Sequence, residues 1–446
     1  MSIAEDAQEI NRIDEIGITD ELLTPRAGLA PLAEFLRQSG IAETLASLNP
    51  IKKNSKGVSD VQSYLQILLS FIDGTSVSLT HFDALKSDPA YLSCCGISAQ
   101  EGISSHSVKR FLGAMGPNAA RNLRRLLLGM FQKALRSQRP DQVILDIDTV
   151  VYDNDTALMR EGCSPTYKKV KGFQPLMVKW GSLVVWSEFR EGKVHSNHGT
   201  TVNHSVMVLV QLIRSVLGPD VPILVTLDSG FFDQKIFNCF ASLGVGYVCS
   251  GKMYKDILEH IATLPTESFR IFESPNPDGV WEYVEINDQR GSWNTSRRAV
   301  YTRRTRTRGG QLEMLGLEAI YYTNLDWDAQ AIISTAHSRG EAELLHRKLK
   351  QFAGEILPFR DFYKNEAWFF LMLIAFDIFE LFKTACDADL GTAKLYPTTF
   401  RRKFIDQAGK VVHHAHKIVL KTTKAFYDDL TTLWRIQAEY DYSAVG

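Results

Sequence analysis

Three acidic stretches carry the side chains that could do chemistry: LDIDTVV around Asp146 and Asp148, VTLDSGFFD around Asp228, and SRGEAELLHRKLK around Glu343. In the first two a carboxylate ends an apolar run, where a buried strand hands a charged group to a cleft. The third sits in a helical pattern. Carboxylates from two strand ends and one helix can converge on one or two divalent cations. Oxygen-only ligands suit Mg2+, with Mn2+ able to substitute. Paired cations about 3.5–4 Å apart serve the attacking and leaving oxygens of an in-line phosphoryl transfer.

Each piece also has a plainer reading. An Asp in an apolar strand is often a hydrogen-bonded structural group, and Asp-Ser-Gly is a common turn or helix cap. Asp146 and Asp148 flank Ile147, so both point from one face of a strand; Asp146 is either a supporting charge or itself the ligand. On the third stretch, Arg339 lies four residues before Glu343 and Lys350 seven beyond it, which places cation, carboxylate and cation on one helical stripe. Such a stripe could hold DNA phosphates beside the metal, or be an ordinary surface ion pair of little energetic weight.

Together these motifs resemble the insertion-sequence transposases with a ribonuclease-H-like DDE core. The subgroup with a tyrosine-arginine-glutamate-lysine signature spaces it Y-x2-R-x3-E-x6-K, and Arg339, Glu343 and Lys350 occupy its last three positions. Ala336 stands where the tyrosine would be. LDIDTVV looks like the family's first strand, with Asp148 at its Asp-Ser/Thr position. DSGF at Asp228–Phe231 matches the second motif, and YYTNL at Tyr321–Leu325 resembles the strand leading into the Glu helix. The resemblance implies catalytic, metal-holding Asp148, Asp228 and Glu343, with Asp146 as a possible auxiliary. It further implies cutting of element ends in double-stranded DNA, joining of the 3'-hydroxyls to target DNA, a hairpin stage on the element ends and a homodimer on DNA.

Two other readings compete. LDIDTVV also fits the DxDx[TV] motif of haloacid-dehalogenase-like phosphatases, with Asp146 as nucleophile, Asp148 as acid/base, Asp228 and Asp233 as the later acidic pair and Lys193 as a loose candidate for the lysine. That leaves the spacing of Arg339, Glu343 and Lys350 unexplained. A non-catalytic, transposase-derived DNA-binding protein is the third reading, at odds with retention of all three acids.

The elements that must position these groups follow from periodicity. Leu29–Leu36, Val61–Ile72 and Asn118–Leu135 have apolar residues at helical spacing, so residues 1–138 are expected to be a helical DNA-binding domain, with Lys109, Arg110, Arg121, Arg124, Arg125, Lys133 and Arg136 beside its apolar faces. Val143–Val151, Met177–Phe189 and Ile223–Leu227 read as strands, with a helix over Ser205–Leu217. This predicts an α/β core, 139–255 and 321–390, built on a ribonuclease-H-like mixed sheet with flanking helices. Between its halves, 256–320 reads as a β-rich insertion subdomain, since a structureless connection of that length is uncommon. Residues 391–446 read as a basic tail that touches DNA or a second subunit.

In the insertion, Trp281 and Trp293 stand near Arg297, Arg298, Arg303, Arg304, Arg306 and Arg308. Arg beside Trp can grip phosphates and stack an unpaired base. Relatives of this family hold a flipped nucleotide on a tryptophan of the insertion; Trp293, beside Gly291 and the arginines, is the candidate here, with Arg297 and Arg298 as DNA contacts. Either tryptophan could equally be subdomain core.

Composition limits other answers. The chain has 446 residues, 45% of them apolar, enough for about three domains. With 50 Lys and Arg against 51 Asp and Glu, net charge gives no support for nucleic-acid binding, which would need a local basic groove. Six cysteines without CxxC spacing read as reduced thiols. His195, His198 and His204, and His413, His414 and His416, lack a cysteine pattern that would suggest zinc. No Gly-rich phosphate loop is present. The acidic start has no apolar signal, and the run Ala367–Phe376 is too short to span a bilayer, so the expected location is cytoplasmic, at the nucleoid.

Overall fold

A computed structural model describes residues 13–51, 57–157, 159–197, 200–272, 280–308 and 311–445; the side chains of 306–316, 340–343 and 444, and His198, lie outside the described residues. The motif LDIDTVV forms the central strand, β1 (Val143–Thr149). Val143, Leu145 and Ile147 are buried on one face, while Ile144, Asp146 and Asp148 point from the other. The hairpin expected from Met177–Phe189 is β2 (Leu176–Trp180) and β3 (Leu183–Glu188), and β4 (Ile223–Leu227) and β5 (Gly246–Ser250) follow. Their order is β3-β2-β1-β4-β5, with β1, β4 and β5 parallel, β2 antiparallel to β1 and β3 antiparallel to β2. The helix Thr201–Leu217 connects β3 to β4 and buries Val202, Val206, Leu209, Val210 and Ile213 along one stripe. This is the ribonuclease-H-like mixed sheet with flanking helices. An antiparallel neighbour beside β1 does not fit the doubly wound parallel sheet that the phosphatase reading needs.

The stretch 256–320 contributes strands to this same sheet. Strands β6 (Arg270–Phe272), β7 (Val280–Asp288), β8 (Arg297–Arg308) and β9 (Gln311–Thr323) form an antiparallel meander, and β9 pairs with β5 through Tyr321↔Ser250, Tyr322↔Cys249 and Thr323↔Val248. Nine strands therefore run continuously in the order β6-β7-β8-β9-β5-β4-β1-β2-β3. Strand β5 would otherwise be an edge with unpaired backbone groups, and β9 covers it. The opposite edge, β3, is met by the long helix Phe362–Ala385, whose Asp377 accepts a 2.9 Å hydrogen bond from the Val184 amide.

That helix contains the run Ala367–Phe376 and is buried on nearly every side, as expected of a helix apolar all round. Among the described residues no helix is long and apolar enough to cross a membrane. Around it gather the helices Leu29–Gln38, Asp60–Ile72 and Ala119–Gln138 and the C-terminal helix Lys424–Glu439, in one shared core. The N-terminal helices thus pack on later parts of the chain. Residues expected to form a basic tail are folded too: strands Gly409–His414 and Lys417–Thr422 make a hairpin that pairs with Leu22–Thr24. Arg401, one of that tail's basic residues, is buried. Its guanidinium donates to the carbonyls of Phe71 (2.6 Å) and Ile72 (2.8 Å) and of Gln351 (3.2 Å) and Phe352 (2.6 Å), the last turns of two helices. These are the carbonyls a helix leaves unpaired at its end.

Candidate active site

Strand pairing brings the first two acidic motifs together. Ile147 on β1 is in register with Leu227 on β4, so Asp148 and Asp228 stand at the next position, side by side at the ends of adjacent parallel strands. Neighbouring strands lie about 4.8 Å apart. Asp228 accepts a 2.8 Å hydrogen bond from the Gly230 amide, which caps the turn Ser229–Phe231. A Cβ on Gly230 would come 2.9 Å from that same Asp228 oxygen, so a larger residue there would have to displace the carboxylate. Asp148 accepts from the Thr149 amide at 2.7 Å.

Asp146 and Asp148 have opposite electrostatic fates. Asp146 is enclosed by cations: Lys179 Nζ on β2 lies 2.8 Å from one carboxylate oxygen, and Arg339 Nε and Thr226 Oγ1 each donate to the other at 2.8 Å. Burial alone would raise its pKa, yet Lys179 and Arg339 hold it below the ordinary carboxylate value. Asp148 has Arg339 only at 3.9 Å and His346 Nε2 at 3.6 Å. Burial, opposed by Lys179 and reinforced by the charges of Asp228 and Asp146, pushes it up to about 6. A carboxyl group that is costly to ionise beside another carboxylate is one that a bound cation would relieve. Asp146 already has its counter-charges.

The third motif approaches this face differently from the single helical stripe expected of it. Two helices, Ala329–Ser338 and Gly340–Ala353, meet at Arg339. From the junction the guanidinium reaches Asp146 in an internal ion pair. Glu343 is carried on the second helix; its side chain lies outside the described residues. Lys350 pairs with Glu355 at 2.6 Å, a second internal partner where a phosphate contact was expected. The same helix supplies His346, which sequence reasoning did not single out. Burial, with Lys179 adding to it, holds its pKa down at about 3, so the ring is neutral and accepts from Lys179 Nζ at 3.4 Å. Lys179, whose side chain is 3% exposed, was also missed. Only the β1–β2 pairing, which sets Asp146 opposite Lys179, reveals it.

The residues of the insertion expected to contact DNA have partners within the chain. Trp293 is 8% exposed and packs against Phe232, Tyr322 and Phe237 with ring centroids 5.1, 5.6 and 5.9 Å away. It is packed in the core and also borders a depression of about 470 Å³ with Tyr254 and Arg290. Arg297 donates to Tyr247 Oη and Asn238 Oδ1, at 3.2 and 2.6 Å. Arg298 is held by Glu285 and by the carbonyls of Leu325 and Trp327, all at 2.7 Å. In the N-terminal region, Arg124 bonds Ser187 O and Glu188 and lies over Trp186, fastening its helix to β3. The side chains of Arg306 and Arg308 lie outside the described residues.

Across residues 16–435 the sequence matches the family described as transposase DDE domain group 1. The chain belongs to the DDE transposase family. Comparison with curated proteins finds no match. Among solved structures, the chain is similar to one described as a cryo-EM structure of the piggyBac transposase synaptic complex with hairpin DNA, at 11% identity and a TM-score of 0.40, covering 85% of this chain and 79% of that one.

For a metal, Asp148 and Asp228 offer adjacent oxygen ligands of the kind Mg2+ takes while keeping some of its waters. Among the described residues no group of three or more His, Cys, Asp or Glu could hold a metal ion, so these two carboxylates would need a further ligand. The groups the phosphatase reading requires are engaged elsewhere. Asp233 caps the helix Gln234–Ser242 through the Lys235 amide, Lys193 pairs with Glu191, and Asp146 is neutralised by two cations.

Proposed function

We propose that this chain is an active DNA transposase that cuts both ends of an insertion sequence in double-stranded DNA and joins the exposed 3'-hydroxyls to a target, with Asp148, Asp228 and Glu343 holding Mg2+ or, in its place, Mn2+. The observation that carries this reading is the pair Asp148 and Asp228 at the ends of adjacent parallel strands, with Asp148 raised to about 6 while Asp146 is neutralised by Lys179 and Arg339. Asp148 is accordingly the first ligand and Asp146 its support. When bound, the cations supply positive charge beside the attacking and leaving oxygens.

The residues of the chain supply position. Lys179 and Arg339 tie β1 to β2 and to the helix junction through one carboxylate, so the strand that bears Asp148 and the helix that bears Glu343 are held in a fixed relation. Neutral His346 fills the space beside Asp148 without adding a competing positive charge. Glu343 stands three residues before His346 on the same helix, a spacing that places both on one face. The enzyme would act on the nucleoid in the cytoplasm, as a homodimer on two DNA ends.

The test is Mg2+-dependent cleavage of DNA carrying the element's own ends by Asp148→Asn, Asp228→Asn, Glu343→Gln and wild type, with DNA binding measured in parallel. Loss of cleavage with retained binding in all three variants is expected. Normal cutting by Glu343→Gln would overturn the assignment, and a wild type that binds ends but never cuts them would identify a non-catalytic relative.

A further inference from the structure

A second surface stands apart from the acidic cleft and does not depend on the proposed activity. The C-terminal hairpin and the helix Lys424–Glu439 enclose a groove of about 560 Å³ whose apolar lining includes Val411, Ile418, Val419, Tyr427, Leu430 and Trp434. Ile418 is 62% exposed, Tyr427 59% and Trp434 49%. Tyr427 and Trp434 are seven residues apart and so share a helix face with Leu430 between them. Large apolar side chains gathered in one groove mark a binding surface more often than scattered exposure does.

The chain also carries a segment of matching chemistry. Residues 13–21, IDEIGITDE, run into the strand Leu22–Thr24 without helix or sheet of their own, and Ile13, Ile16 and Ile18 are 85%, 92% and 100% exposed. Ile16 and Ile18 are two apart and fall on one face of an extended chain. The segment has Asp14, Glu15 and Asp20, no basic residue, and Glu21, which pairs with Lys410 of its own chain. One wall of the groove is the strand Lys417–Thr422, the outer strand of the three-stranded sheet Leu22–Thr24, Gly409–His414, Lys417–Thr422. Its outward backbone groups can take a further strand, and its exposed Lys417 and Lys421 complement an acidic one. Leu22 anchors the arm at the opposite edge of that sheet, from which its isoleucines run into solvent.

We infer that the arm of residues 13–21 docks in this groove on a second copy of the chain, adding as a strand along Lys417–Thr422 and burying Ile16 and Ile18 against Ile418 and Trp434. Reciprocal exchange closes a twofold dimer in which every arm and groove is filled. The dimer forms without DNA and leaves the acidic cleft untouched.

The experiment is sedimentation of the full chain over a concentration series without DNA, comparing wild type with an arm variant (Ile16→Asp with Ile18→Asp) and a groove variant (Trp434→Ser with Ile418→Asp). All four positions are exposed, and unchanged circular dichroism would show that the variants fold. Wild type should dimerise, each variant should dimerise at least about tenfold more weakly, and an equimolar mixture of the two should recover association, because one intact arm can still fill one intact groove. A second readout is disulfide capture between Ile16→Cys and Trp434→Cys on a non-reducing gel, where a cross-linked dimer is expected. A monomeric wild type, a dimer indifferent to both variants, or a disulfide closed within one chain would each overturn the inference.

Discussion

Replacing either aspartate of β1 by asparagine should move stability in opposite directions. Asp148 is held at about 6 against its ordinary 3.8. Below pH 3.8 the group is protonated in both folded and unfolded chains and there is no penalty. Between 3.8 and about 6 the unfolded chain releases the proton first, so the folded state loses stability as pH rises, and above 6 the loss is complete. That gap corresponds to about 3 kcal/mol. Asparagine keeps an acceptor for the Thr149 amide and removes the charge. In metal-free buffer Asp148→Asn should therefore be more stable than wild type by up to about 3 kcal/mol at pH 8, and by almost nothing at pH 4. Asp146→Asn should do the reverse, because it removes the counter-charge of buried Lys179 and of Arg339; breaking a buried pair of this kind costs on the order of 3 kcal/mol. The assay is urea unfolding of the three proteins from pH 4 to 8 with chelator present. If Asp148→Asn were destabilised at pH 8, or its advantage did not grow with pH, the electrostatic division between the two aspartates would be wrong.

Other consequences can be checked in the same preparations. Mg2+ should raise the thermal midpoint of wild type at pH 8 and leave that of Asp148→Asn nearly unchanged, since the cation relieves a repulsion the variant lacks. Arg401→Ala strips four helix-end carbonyls of their donor and should cost at least about 3 kcal/mol in chemical unfolding; Arg401→Lys should not restore it, because an ammonium cannot span both helix ends. Trp293→Ala should lower stability by about 3–5 kcal/mol as a core truncation, and a loss of DNA affinity in a variant of unchanged stability would restore the stacking role.

Much of the layout of the acidic strands was legible because strand ends announce themselves. VILDIDT and ILVTLD alternate or run apolar up to a carboxylate, and the register of β1 with β4 then follows from the fold. The partners of the basic residues were hidden for a physical reason. RRAVYTRRTRTR reads as a groove for phosphates, yet the facing strand VWEYVEIND carries acids that answer it, with Glu282 directly opposite Arg303 and Glu285 bonding Arg298. Cross-strand pairing of this kind cannot be seen until the strands are aligned. Lys179 and His346 were invisible for a related reason. In LMVKW and LLHRKLK each looks like the polar member of a solvated face, and only strand pairing brings Lys179 to Asp146 and only the packing of helix on sheet brings His346 to Asp148. The fold of the C-terminal region was hidden by composition: Arg401 sits among basic neighbours, but its guanidinium is spent on backbone carbonyls.

The most direct test of the central claim is to count bound Mn2+ by electron paramagnetic resonance in wild type and in Asp148→Asn, Asp228→Asn, Glu343→Gln and Asp146→Asn. The first three variants should lose affinity clearly, and folded Asp146→Asn should still bind. Binding abolished by Asp146→Asn and unaffected by Asp148→Asn would contradict it.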